Sequence, residues 1–100
     1  MRFLLTIDTE GDNQWVYSDK VTVNNLRYLP RFQDLCNKHK IKPTYVVTSE
    51  VCEDDYAKEL FRSYLKMDVA EIGTHLHIWT TPPFYDVDGF RYNDRFKGFA

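Results

Sequence analysis

The sequence predicts an α/β domain in which parallel strands alternate with helices. Three observations lead there: apolar, β-rich segments at 3–7, 41–48 and 69–74, two intervening stretches with apolar residues at three- and four-residue steps, and short links between them. The order strand, helix, strand, helix, strand with such links is the pattern of parallel pairing through right-handed crossovers.

Phe3 to Ile7 is apolar almost without break, as expected of a strand buried on both faces, and it runs into the polar cluster Asp8-Thr9-Glu10-Gly11-Asp12-Asn13. Between Val21 and Lys40, Leu26, Leu29, Phe32, Leu35 and Cys36 form a helical stripe. Pro30 interrupts it. A proline inside a helix costs about 3 kcal/mol but is tolerated in the first turn. The prediction is therefore a short turn from Val23 and a helix from Leu29 to His39, where Lys38, His39 and Lys40 suit the negative end of the helix dipole. Ile41 to Thr48 repeats the strand signature, with Pro43 near its start. Ser49 is placed to cap a second helix, whose stripe of Tyr56, Leu60, Phe61, Tyr64 and Leu65 reaches Lys66. Val69 to Thr74 is a third short strand. From Thr80 the pattern dissolves into Thr81-Pro82-Pro83-Phe84-Tyr85 and an aromatic, basic tail.

Composition narrows the function classes. With 43% hydrophobic and 28% charged residues the chain should fold, and 13 basic against 15 acidic side chains give a net charge of −2. That balance disfavours nucleic acid or an acidic membrane surface as partner. The two cysteines, Cys36 and Cys52, lack CxxC spacing, so reduced, buried thiols are expected rather than a disulfide framework. The N-terminal apolar stretch ends at Asp8, too short for a signal peptide core or a membrane span, and a cytoplasmic location is expected. Three strands cannot close a barrel and would leave an open parallel edge. Residues 1–100 therefore read as a single, truncated domain continuing past Ala100, with a homo-oligomer as another way to cover that edge.

The chemistry-bearing residues lie in two clusters, Asp8, Glu10 and Asp12 after the first strand and His75 and His77 after the third. In a parallel sheet both end on the same rim, where α/β folds gather their functional loops. Residues at i and i+2 of an extended segment point the same way, so His75 and His77 can converge on one ion, and so can Asp8 and Glu10. Two imidazoles and a carboxylate suit a divalent metal: zinc, iron, manganese, cobalt or nickel. Taken singly, each cluster also reads as a solvated turn or as surface histidines. Their joint position at the ends of alternating core strands favours the metal. His39, among lysines at a helix end, reads as a dipole cap.

These segments form an ordered set. Thr6-Ile7-Asp8-Thr9-Glu10-Gly11-Asp12, Lys42-Pro43-Thr44-Tyr45-Val46-Val47 and Glu71-Ile72-Gly73-Thr74-His75-Leu76-His77-Ile78-Trp79-Thr80-Thr81-Pro82-Pro83 resemble the NodB-like polysaccharide deacetylases. The likeness is greatest to a bacterial subgroup with an IGxHLHPWxTPP segment, and it spans essentially the whole chain. It implies the N-terminal portion of a deformed (β/α) barrel. It also implies a hydrolase in which water at a divalent metal, zinc first among the candidates, attacks the N-acetyl carbonyl of a glycan or glycolipid precursor. Asp8 then matches the general base, and Glu10 takes the place of the metal-binding aspartate, one residue later than in the common TFDD form. His75 matches the first metal histidine and His77 the second, with one residue between them where the usual pair has three. Ile78 stands where the subgroup has proline. Either carboxylate can bind metal, so Asp8 and Glu10 can exchange roles. The arginine, second aspartate and late histidine that the family carries in its second half have no counterpart after His77, and Arg91 and Arg95 lie in no matching motif.

Aromatic side chains flank these motifs, and their faces suit the apolar faces of sugars. Trp79, two residues past His77, and Trp15 are the candidate substrate contacts. The expected partner is an N-acetylated carbohydrate. The competing reading is a catalytically inactive carbohydrate-binding or regulatory module that keeps the metal rim without the acid.

Overall fold

Three parallel strands, β1 (Thr6–Thr9), β2 (Thr44–Val47) and β3 (Glu71–Thr74), form one sheet in the order β1-β2-β3. This computed structural model describes residues 1–13, 21–77 and 81, together with the backbone of an antiparallel pair, β4 (Asp86–Val87) and β5 (Phe90–Arg91). Across the parallel sheet the register runs Ile7, Tyr45, Ile72 in one row and Asp8, Val46, Gly73 in the next.

The connections explain the layers. A 3-10 turn (Asn24–Tyr28) leads into α1 (Leu29–Lys38), with Pro30 in its first turn as expected. Past β2 come α2 (Ser49–Glu53) and α3 (Asp55–Lys66). Both crossovers step the same way along the sheet, so right-handed connections put α1 and α3 on one face. There Tyr45 and Val47 pack with Leu26, Val51, Phe61 and Tyr64, and Ile7, Phe32 and Ile72 close the periphery. On the other face Thr6, Asp8 and Glu71 are exposed, and Thr44, Val46 and Gly73 are half-buried. Gly73 is held close to its neighbour: a Cβ there would meet Val46 Cγ1 at 3.1 Å.

Several expectations change. The first strand is not buried on both faces: Phe3 and Leu4 are 67% and 91% exposed, and the strand begins three residues later, at Thr6. An uninterrupted apolar run signals two-sided burial only for a strand flanked on both sides, and among the described residues β1 has a strand neighbour, β2, on one side only. The single helix expected from Ser49 is two. Asp54 adopts an extended backbone (φ −72°, ψ 126°), and its Oδ2 accepts the Ala57 N–H at 2.9 Å, so Asp54 caps α3. Thr48, not Ser49, is the N-cap of α2, and it makes no side-chain capping bond. Cys36 is buried, whereas Cys52 is exposed on α2; both are free thiols.

One buried polar group ties the layers together. Gln33 of α1, 1% exposed, accepts a hydrogen bond from the Tyr45 hydroxyl at 2.7 Å. Its Nε2 donates to the Val69 carbonyl at 3.0 Å and to Asn37 Oδ1 at 2.9 Å. A single amide thus links α1 to the central strand and to the approach to β3. Burial pushes the Tyr45 phenol well above its ordinary pKa and Tyr64 up to about 12, so both stay protonated. At the opposite rim from the histidines, Lys40 and Asp68 take left-handed backbone (φ 56° and 57°) just past the ends of α1 and α3. The Ile41 N–H closes α1 by donating to the Cys36 carbonyl at 2.9 Å.

Candidate metal centre

Parallel pairing carries both polar clusters to the same rim. Asp8 lies within β1 and Glu10 directly after it, while His75 and His77 follow β3. The ladder extends one residue past the strands: the Thr48 N–H donates to the Thr9 carbonyl at 3.1 Å and the His75 N–H to the Val47 carbonyl at 2.9 Å. Glu10, Thr48 and His75 therefore fall on one level across the three strands. The Thr81 N–H donates to the His77 carbonyl at 2.8 Å.

The side chains converge. Glu10, His75 and His77 each offer a ligand atom, and these atoms all lie within 4.8 Å of one another. His77 Nε2 is 2.8 Å from Glu10 Oε2, with both side chains largely buried, and the two imidazoles meet edge to face with centroids 4.5 Å apart. Asp8 stands outside this group. Its side chain is 71% exposed, and Oδ1 lies 3.7 Å from His75 Nδ1, longer than a hydrogen bond. His75 Nδ1 is buried with no hydrogen-bond partner.

A divalent ion fits this donor set chemically. Imidazole and carboxylate are first-choice zinc ligands, and three protein ligands leave a position open. Tetrahedral bonds of about 2.0–2.2 Å set ligand atoms roughly 3.4 Å apart. Side-chain adjustments on the ångström scale therefore reach it. An orphaned buried imidazole nitrogen is itself a group in need of a partner.

Electrostatics favour a neutral ligand histidine. Burial holds His77 below the usual histidine range, with His75 acting in the same direction and Glu10, Glu50 and Asp8 opposing it. The third carboxylate of the sequence cluster does something else. Asp12 accepts hydrogen bonds from the Thr22 hydroxyl and, at 3.2 Å, from the Asn25 N–H. The Thr22 hydrogen bond is the main reason its carboxyl lies below its ordinary pKa. Asn25 Nδ2 donates to the Glu10 carbonyl at 3.0 Å, so this turn anchors the backbone that carries Glu10. Sequence reading missed Asn25 and Thr48. Trp15 and Trp79 lie outside the described residues, as do Ile78 and Arg95.

No family model, no curated protein and no solved structure matches this chain. Fold and site define an α/β domain with a parallel sheet and a Glu-His-His cluster on its C-terminal rim.

Proposed function

We propose that the chain carries the metal-binding rim of a metal-dependent amidohydrolase of the NodB-like polysaccharide deacetylase type, acting in the cytoplasm on N-acetylated sugars of a polysaccharide or glycolipid precursor. The carrying observation is the convergence of Glu10, His75 and His77 from the ends of two strands that are not neighbours. The order β1-β2-β3 with both helices on one face is compatible with the winding of a (β/α) barrel, and it is equally that of one half of a doubly wound sheet, so the barrel rests on the family resemblance. The half-open face with Asp8, Val46 and Gly73 then corresponds to the barrel interior.

In this reading Glu10, His75 and His77 hold the ion. A divalent ion bound there supplies a Lewis acid and lowers the pKa of water toward about 7. Asp8, beside the cluster and solvent-accessible, takes the proton as water adds to the amide carbon. The C–N bond then breaks as the leaving nitrogen takes up a proton from solvent, and the products are acetate and the free amine of the sugar. Asn25 and Asp12 hold the Glu10 backbone in place. Trp79 and Trp15 are proposed as stacking surfaces for the sugar rings.

The test is bound zinc per chain by elemental analysis. Near one equivalent in the wild type, lost in His75→Ala, is expected; no zinc in the wild type refutes the reading. Asp8→Asn should keep the metal while acetate release from N-acetylated oligosaccharides falls about 100-fold or more. Loss of metal with residual turnover in that variant would exchange the roles of Asp8 and Glu10.

A further inference from the structure

Thr48 is completely buried, yet its Oγ1 has no hydrogen-bond partner. The residue is the N-cap of α2, where a threonine hydroxyl ordinarily accepts a backbone N–H of the first turn, and here it does not. Two ordinary ways of satisfying the hydroxyl are thus both forgone. The backbone at Thr48 is extended (φ −81°, ψ 169°), so alternation from β2 puts its side chain on the face of Val46, the face that also carries Asp8. Its level in the ladder lies between Glu10 and His75.

We infer that the Thr48 hydroxyl is a ligand-positioning group of the metal centre, donating a hydrogen bond to the oxygen of an acyl group, amide carbonyl or carboxylate, bound between it and Glu10, His75 and His77. The inference rests on the metal-centre reading and adds to it a neutral donor on the central strand's level of the rim. A buried donor without a partner in the free protein is the arrangement expected of a group whose partner arrives with the ligand. Threonine also suits the position because its hydroxyl stays neutral and leaves the ligand charge of the centre unchanged.

Acetate, the smallest acyl product, serves as probe. It is titrated calorimetrically into zinc-loaded wild type, Thr48→Val and Thr48→Ser. Zinc uptake should be equal in all three, and Thr48→Ser should bind acetate within about twofold of the wild type. Thr48→Val, which keeps the shape and removes the donor, should bind it about tenfold more weakly, equivalent to ~1.4 kcal/mol. Thr48→Ala provides the same comparison if the valine variant does not fold. Equal acetate affinity in the wild type and the hydroxyl-free variant overturns the role of Thr48 and leaves the metal centre standing. Zinc uptake without measurable acetate binding to the wild type overturns it too. No zinc uptake by the wild type overturns both readings.

Discussion

Replacing Gln33 by leucine removes one buried amide and strands its partners. The Tyr45 hydroxyl, in a residue with no solvent exposure, loses the acceptor now 2.7 Å away, and the Val69 carbonyl loses a donor at 3.0 Å. An orphaned buried hydroxyl costs about 1–3 kcal/mol, and the partly buried carbonyl bond adds about 1 kcal/mol. Gln33→Leu should therefore destabilise by about 2–4 kcal/mol. Tyr45→Phe alone strands only Gln33 Oε1 and should cost about 1–2 kcal/mol. The double variant removes both ends of the buried bond, and replacing both partners by apolar groups is close to neutral. It should be more stable than the sum of the single changes predicts, by about 1 kcal/mol or more. Urea unfolding of the four proteins, followed by far-UV circular dichroism, measures that coupling directly, since a common slope turns midpoint shifts into free energies. Additive single changes, or a Gln33→Leu protein within about 0.5 kcal/mol of the wild type, would refute the account of Gln33 as the tie between α1, β2 and the approach to β3.

Two further outcomes follow from the same structure. Removing the α3 cap with Asp54→Ala should destabilise by about 1 kcal/mol and lower the melting temperature by roughly 4–8 °C, with no change in zinc stoichiometry; an unchanged melting temperature would contradict the capping role. Burial lowers the pKa of His77, so an unfolded chain whose histidine ionises near ~6.5 takes up a proton before the native protein does. The stability contributed by neutral His77 is whole above about pH 6.5 and is lost as pH falls through the lower folded value. Unfolding midpoints of the metal-free protein should thus drop between about pH 7 and pH 5, more steeply than in His77→Gln; equal slopes would show that His77 does not titrate in this way.

The order of elements was legible because each apolar run and stripe carries its own period. Tyr45, Val46 and Val47 read as a strand, and of the expected stripe Leu29, Phe32 and Cys36 lie on the packed side of α1 with Leu26 in the turn before it, whereas Leu35, assigned to the same stripe, is 54% exposed. What sequence left out has physical reasons. Gln33 lies four residues past Leu29 and three before Cys36, squarely on the buried stripe, but a polar residue there reads as solvent-facing until its partner on β2 is known. The break at Asp54 was hidden because the apolar spacing of α3 continues plausibly upstream, and only the capping bond to Ala57 marks where the helix restarts. For the pair Asp86–Val87 and Phe90–Arg91, the Asp88-Gly89 dipeptide between them is a recognised hairpin signal that the aromatic tail obscured. At the rim, strand order and spacing gathered Asp8, Glu10 and Asp12 with His75 and His77, and the family resemblance, not spacing, singled out Glu10 as the ligand. The separation of Asp8 from that group, and the use of Asp12 as an anchor for the turn, depended on side-chain directions that spacing does not encode.

The residues that meet at the rim come from opposite ends of the folded segment. Glu10 leaves the first strand and His75 follows the third, so a ligand gripped by both closes a loop of 65 residues (75 − 10). In the chain-entropy view, a cross-link of that span restricts the unfolded chain by about 4 kcal/mol. Nothing shorter holds the site together, because neither crossover alone brings the two ends within reach. The cluster therefore assembles only when both connections are complete. Its capacity to bind is a readout of the finished sheet, and a bound ion would act as a latch on the last pairing to form.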